Sequence, residues 1–351
     1  MNFKSDNEAP AHPAVIQALV EANDGFATAY ANDRYSRRLD ECFSALFDTQ
    51  CWVLPVATGT AANCVSLAEL SPPWGAVVCH RQAHIHNDEG GAPEFYTHGA
   101  KLVPLAGDNA RLSAGDVGAF VDAAGVHGVH NVKPSAVSIT QATECGTVYR
   151  PEEIGALAEA AHQRGLFVHM DGARFANAVA WLGCHPAEIT WQAGVDVLSF
   201  GATKNGAITA EAIVVFGRPE WLEGMERRRK RGGHLLSKMR YVSAQLLAML
   251  NDDLWLALAG QANQRAAALA RGIEQSPHAA LEWPVEANEV FMRASPDKLA
   301  ALKSLGFEFH IWPGYTDLAR LVCSWSTTEA EVANFLTALD SATHNTSPVK
   351  A

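Results

Sequence analysis

Three observations on the sequence predict an α/β architecture, a mostly parallel sheet flanked by helices and followed by a smaller C-terminal α+β domain. Short apolar runs alternate with segments of helical periodicity up to about residue 238. The run at 51–56 is of the kind buried on both faces, and strands separated by helical segments indicate parallel pairing. Beyond residue 238 the texture changes to long Ala- and Leu-rich helices and then to short strand candidates.

The elements follow in chain order. Residues 14–23 read as a helix with Ile16, Leu19 and Val20 on one face, ending near Gly25. Residues 51–56 form a strand, and Gly59-Thr60 opens a helix. Strands are predicted at 76–79 and 136–141. Pro151 suits a first helical turn, with Ile154, Leu157, Ala158 and Ala161 at helical spacing and Gly165 as terminator. Strands at 166–170, 196–200 and 212–216 complete the larger unit. In the smaller one, helices to about 275 break near Asn251-Asp252-Asp253, and strands are predicted at 289–293, 307–311 and 319–325. Thr328 and Glu331 form a capping box for a last helix to Leu339. The expected division is an arm at 1–12, a large domain at 13–245, a small domain at 246–345 and a tail at 346–351.

Bulk properties exclude several classes. A formal charge of −11 argues against non-specific nucleic-acid binding, which needs a basic face. The basic run 227–231 adjoins Glu223 and Glu226 and reads as a solvated helix face or a phosphate contact. Seven cysteines without a C-x-x-C pair fit a reducing cytoplasm. The first residues are no signal peptide, and no apolar run reaches membrane-spanning length. Without a secretion signal, Asn345-Thr346-Ser347 carries no weight as a glycosylation site.

The polar candidates Gly59-Thr60, His84, Glu144, Asp171 and Lys204 each follow the C-terminal end of a predicted strand, the edge where open parallel sheets bind ligands. Lys204 lies in a small-residue turn and Asp171 at a strand end. An amine for a Schiff base and a carboxylate for a pyridinium nitrogen are what pyridoxal phosphate requires. Gly59-Thr60-Ala61-Ala62-Asn63 offers a phosphate seat at a helix start. It is neither a Walker loop nor a dinucleotide fingerprint. The competing reading is a metal-dependent hydrolase, in which His84, His86 and Asp88 share one side of an extended segment. No second ligand motif completes that set, although His127, His130, His169 and His185 are scattered through the chain.

The runs 55–63, 90–95, 140–144, 169–175 and 199–206, in this order, resemble the threonine aldolases, in particular the low-specificity and phenylserine-cleaving branch. These belong to the aspartate-aminotransferase-like (fold type I) pyridoxal-phosphate enzymes, and the likeness extends from Phe3 to about Trp325. The resemblance implies a seven-stranded sheet and pyridoxal 5'-phosphate bound through Lys204. Asp171 would hold the ring nitrogen, His84 would stack on the ring, and Gly59, Thr60 and Asn63 would take the phosphate. Ser5, Arg174 and Arg320 match positions that clamp the substrate carboxylate. Lys230, Arg240 and Tyr30 match residues that reach across to a neighbouring subunit, which implies a dimer or a dimer of dimers. Tyr30 is followed by Ala31, where relatives usually carry glycine.

The implied reaction is cleavage of L-β-hydroxy-α-amino acids to glycine and an aldehyde, with His84 and His130 as alternative bases. A pyridoxal β-eliminating lyase or aminotransferase would use the same lysine and aspartate. Loose selectivity at Cβ is expected, because apolar pockets discriminate single methylenes weakly. The likeness to the phenylserine branch favours an aromatic β-substituent, with His86, His130 and His310 as candidate walls.

Overall fold

The computed structural model describes residues 1–341. The 346–351 tail, the last residues of the expected small domain and Asn345-Thr346-Ser347 lie outside the described residues.

Seven strands form the main sheet: β1 (Cys51–Val56), β2 (Gly75–His80), β3 (Lys101–Leu105), β4 (Lys133–Thr140), β5 (Phe167–Gly172), β6 (Val197–Gly201) and β7 (Glu211–Phe216). Their order is β1-β7-β6-β5-β4-β2-β3. β7 runs antiparallel to both β1 and β6, and the other strands run parallel to one another. Every residue of β2, β6 and β7 is buried, as strands covered by helices on both faces require. β6 and β7 need no helical crossover because they are antiparallel. Their direct connection carries Lys204.

The remaining strands, β8 (Ala279–Leu281), β9 (Glu289–Ala294), β10 (His310–Ile311) and β11 (Leu318–Val322), form an antiparallel sheet ordered β10-β11-β9-β8. The helix Leu254–Gln275 serves both cores. Trp255, Leu258 and Ala259 pack with the large sheet, whereas Ala266, Leu269 and Ile273 pack with the small one. The N-terminal arm also joins the small sheet. Phe3 N–H donates to Glu308 O, Val322 N–H donates to Phe3 O, and the Phe3 ring is buried there.

Three expectations need correction. The first helix, Pro13–Ala22, buries Val15 and Ala22, half-buries Leu19 and leaves Ile16 and Val20 exposed, so most of the predicted apolar face points outward. It packs against Arg240–Leu250, and its buried Val15 and Ala22 stand seven positions apart, a spacing that shares a helix face. The strand expected at 307–311 shrinks to β10, because the Phe307 and Glu308 amides donate to Leu302 O and Met1 O. Residues 84–87 are a short helix and not an extension. β3 and β8 carry no strand signal in the sequence; β3 is an edge strand with Lys101 and Pro104 exposed.

Candidate active site at the strand ends

The parallel strands bring the ends of β1, β2, β4, β5 and β6 to one edge of the sheet, together with Gly59-Thr60, His84, Glu144, Asp171 and Lys204. At the end of β5, Asp171 Oδ1 accepts from Ala173 N–H at 3.0 Å. Asp171 Oδ2 accepts from the Asn63 amide at 2.8 Å. Close passage of the chain at this point demands glycine. A Cβ on Gly172 would lie 2.7 Å from Ser199 O, and one on Gly201 would lie 2.8 Å from the Ala173 backbone.

Lys204 sits in a single 3-10 turn, Thr203–Asn205. Ala202 N–H donates to Ala210 O at 3.2 Å and Ala210 N–H donates to Thr203 Oγ1 at 3.1 Å, which closes the turn. Gly206 ends it at φ 107°, a conformation that side chains rarely adopt. Glu211, buried at the start of β7, accepts from Thr203 N–H at 3.4 Å, and burial pushes its carboxyl up to about 7. The N-terminal arm closes over this turn. His12 N–H donates to Gly206 O, and Trp325 donates to Pro10 O.

Asn63 departs from its expected role. Its amide donates to Asp171 and, at 2.9 Å, to Glu89 Oε1, so it aims a carboxylate and does not face the first turn of its helix. That helix, Gly59–Leu70, is capped by Thr58, whose hydroxyl accepts from Ala61 N–H at 3.1 Å. The Gly59 and Thr60 amides keep no partner among the described residues, as the start of a helix leaves them. Open space surrounds the Gly59 Cβ position.

His84 Nδ1 lies 2.9 Å from Glu89 Oε1, and His84 N–H donates to Glu144 Oε1 at 2.9 Å. The bond to Glu89 raises the His84 pKa, against burial and the nearby Lys204 charge. Burial pushes Glu144 up to about 7, despite the hydrogen bonds it accepts from Thr140 and His84. His86 and Asp88 are exposed. Alternate residues of a helix point to nearly opposite sides, so the His84, His86, Asp88 metal set does not assemble. The set that does converge is His84, Glu89 and Asp171, with ligating atoms within 4.8 Å of one another. Asn63 donates to both of its carboxylates. His169 is no ligand either, since it ties Ser138 of β4 to Ser199 of β6 and burial lowers its pKa to about 4.

Arg174 and Arg320 approach one another through Glu289. Arg174 Nη1 stands 3.4 Å and Arg320 Nη1 stands 3.6 Å from the buried Glu289 carboxylate. The Nε and Nη2 edge of Arg174 is already bound by Asp6, and Asn288 donates to the same aspartate. Arg320 is the less engaged of the two, and its Nε has no partner among the described residues. Ser5 precedes Asp6 and caps the turn Asp6–Glu8 by accepting from Asn7 N–H. His310 pairs with Arg320 across β10 and β11.

His130 lies elsewhere in the chain. It precedes the start of β4, at the sheet edge opposite Lys204, and is exposed, so within one chain it stays apart from the other candidates. Tyr30, Lys230 and Arg240 gather on another surface. The Lys230 amine lies 4.5 Å from the Tyr30 ring centre, Tyr30 N–H donates to Ser237 O, and Arg240 donates to Gly25 O. Tyr30 and Ala31 both adopt left-handed backbone, at φ 58° and 60°. The sequence reading missed Glu89, Asp6, Asn288 and Glu289. Each is a buried polar residue without a motif of its own, visible only through the partners it meets in the fold.

The beta-eliminating lyase family model matches residues 2–295. A low specificity L-threonine aldolase of Pseudomonas aeruginosa is 43% identical over 93% of this chain and 93% of its own. Another of that name from a Pseudomonas species is 42% identical over 94% of each chain. The solved structure of a Leishmania major threonine aldolase superposes with a TM-score of 0.89 at 26% identity, covering 96% of this chain and 98% of that one. The chain belongs to the beta-eliminating lyase family, among its threonine aldolases.

Proposed function

We propose that this protein cleaves L-β-hydroxy-α-amino acids, threonine and allo-threonine among them, to glycine and an aldehyde, with pyridoxal 5'-phosphate held through Lys204. The observation that carries the reading is the placement of the Lys204 turn on the same sheet edge as Asp171, whose carboxylate is aimed by two hydrogen bonds. The residues fit the cofactor. Lys204 has a primary amine with no hydrogen bond among the described residues, Asp171 suits a ring nitrogen, and the Gly59 and Thr60 amides suit a phosphate. When bound, the cofactor supplies the electron sink for the Cα–Cβ bond pair.

The chain's own residues do the rest. Arg320, the less engaged arginine, receives the substrate carboxylate beside Arg174, with Ser5 near the same arm. His84 takes the β-hydroxyl proton, and Lys204 would be the residue that holds the cofactor while no substrate is bound. Asn63 holds Asp171 in place. We read residues 13–245 as the cofactor-holding domain and 246–345 as the small one.

A dimer or a dimer of dimers is part of this reading. Ile16, Val20, Phe26 and Tyr30 are exposed apolar side chains near Lys230 and Arg240, beside a cavity of about 450 Å³ lined by Tyr30, Arg229 and Lys230. Covering such a patch is what association achieves. Among the described residues no helix is long and apolar enough to cross a membrane, all seven cysteines are unpaired, and a cytoplasmic location suits both.

Product analysis tests the reaction. Glycine and acetaldehyde from L-threonine and L-allo-threonine, and benzaldehyde from L-phenylserine, are the expected products. Cleavage of D-forms alone would contradict the L-configured reading, and pyruvate and ammonia from L-serine as the main reaction would replace it with the β-eliminating alternative.

A further inference from the structure

We propose that Glu89 is a positioning residue that fixes the tautomer of His84, holding its Nδ1 proton so that Nε2 faces the β-hydroxyl of the substrate. The inference rests on the aldolase reading above. Its starting point is a hydrogen bond that no sequence motif announces, His84 Nδ1 to Glu89 Oε1 at 2.9 Å. The Glu89 side chain is fully buried, whereas that of His84 is 40% exposed, so the ring is gripped on one side and open on the other.

The local fold serves this contact. The short helix His84–Asn87 ends before Glu89, and Gly90 and Gly91 follow in left-handed backbone at φ 59° and 76°. The chain therefore turns back and buries the glutamate beneath the histidine five residues earlier. His84 is pinned from its main chain as well, through its N–H to Glu144. Asn63 completes the support by donating one amide hydrogen to Glu89 Oε1 and another to Asp171 Oδ2. A buried amide with both donors used holds two carboxylates in fixed places at once.

The charged and titratable groups around His84 are Glu89, Asp171, Lys204 and, across its backbone, Glu144. A neutral imidazole that donates from Nδ1 must carry its lone pair on Nε2. In the reaction the O–H bond breaks toward Nε2 and the oxygen pair becomes the carbonyl of the aldehyde. The Cα–Cβ pair would enter the electron sink that a bound cofactor supplies, and a proton delivered to Cα completes glycine. The proton taken from oxygen is balanced by the one added to carbon. Glu89 stabilises the doubly protonated ring that exists in between.

The test compares wild type with Glu89→Gln in the holoenzyme. The expected result is a fall in kcat of about 10- to 100-fold with KM little changed, less than the ~10²–10⁴-fold that a general base supplies. The acid limb of the kcat/KM profile should move to lower pH, because the bond that raises the His84 pKa is weakened. In nitrogen-15 spectra of wild type, His84, assigned by its absence in His84→Phe, should be protonated at Nδ1 when neutral. That measurement stands even if Glu89→Gln fails to fold. A neutral His84 protonated at Nε2 overturns the proposal. So does a folded Glu89→Gln that keeps its kcat and acid limb while wild type cleaves L-threonine. A wild type that releases no glycine overturns the aldolase reading itself, and the proposal with it.

Discussion

Arg174 grips Asp6 through two parallel hydrogen bonds, Nε to Oδ2 at 2.8 Å and Nη2 to Oδ1 at 3.0 Å. This bidentate pair joins the N-terminal arm to the end of β5, next to the Lys204 turn. Both side chains are nearly out of reach of solvent. Burial alone would raise the Asp6 pKa, but the charges of Arg174 and Lys204, together with hydrogen bonds from Arg174 and Asn288, hold the carboxyl below its ordinary value.

Asp6→Ala should therefore destabilise the protein by about 3 kcal/mol, the lower end of the cost of removing one partner of a buried pair, because Glu289 still faces Arg174 at 3.4 Å. The pH dependence has a definite sign. A carboxyl whose folded pKa is depressed adds stability above its unfolded value of 3.8 and loses it as pH falls through the lower folded value. Urea unfolding at pH 7 and on the acid side below 3.8 checks both statements. The gap between wild type and Asp6→Asn should narrow toward acid, and a constant gap would remove Asp6 from the account.

Arg320 faces Glu289 at 3.6 Å and has an unpartnered Nε, so it should be the arginine that receives the substrate carboxylate. Arg320→Lys should raise KM for L-threonine roughly 10- to 100-fold, the value of one or two charge-assisted hydrogen bonds, because an ammonium cannot offer a planar fork. The Tm should stay close to that of wild type. Unchanged KM with a large loss of kcat would place Arg320 elsewhere in the reaction.

Ala31 adopts φ 60°, a left-handed conformation that favours glycine. An L-residue pays about 1–2 kcal/mol for left-handed backbone, and glycine returns part of that gain through the entropy of its unfolded chain. Ala31→Gly should raise the Tm slightly without altering KM. A fall in Tm would mean that the Ala31 methyl contributes packing worth more than the strain.

The larger sheet was legible where a strand is covered by helices on both faces, since residues 51–56, 76–79 and 212–216 are apolar throughout. β3 was not, because an edge strand needs no continuous apolar run, and Pro104 interrupts this one. The helix Pro13–Ala22 was legible as a helix, but its inward face was not, because Ile16 and Val20 are as apolar as Val15. Gly59, Thr60, Asp171 and Lys204 follow strand ends, and parallel topology gathers such positions on one edge whatever separates them in sequence. His130 precedes a strand, and the same rule sends it to the other edge. Glu89, Asp6 and Glu289 became visible only through their partners, as their positions carry no periodicity or motif.

The central claim is that Lys204 holds pyridoxal phosphate for aldol cleavage, and borohydride reduction of the active protein followed by peptide mass spectrometry tests it most directly. The account predicts one cofactor-modified peptide containing Lys204, together with loss of glycine release from L-threonine in both the reduced protein and Lys204→Ala. An unmodified Lys204 in active, reduced protein, or full aldolase activity in Lys204→Ala, would contradict it.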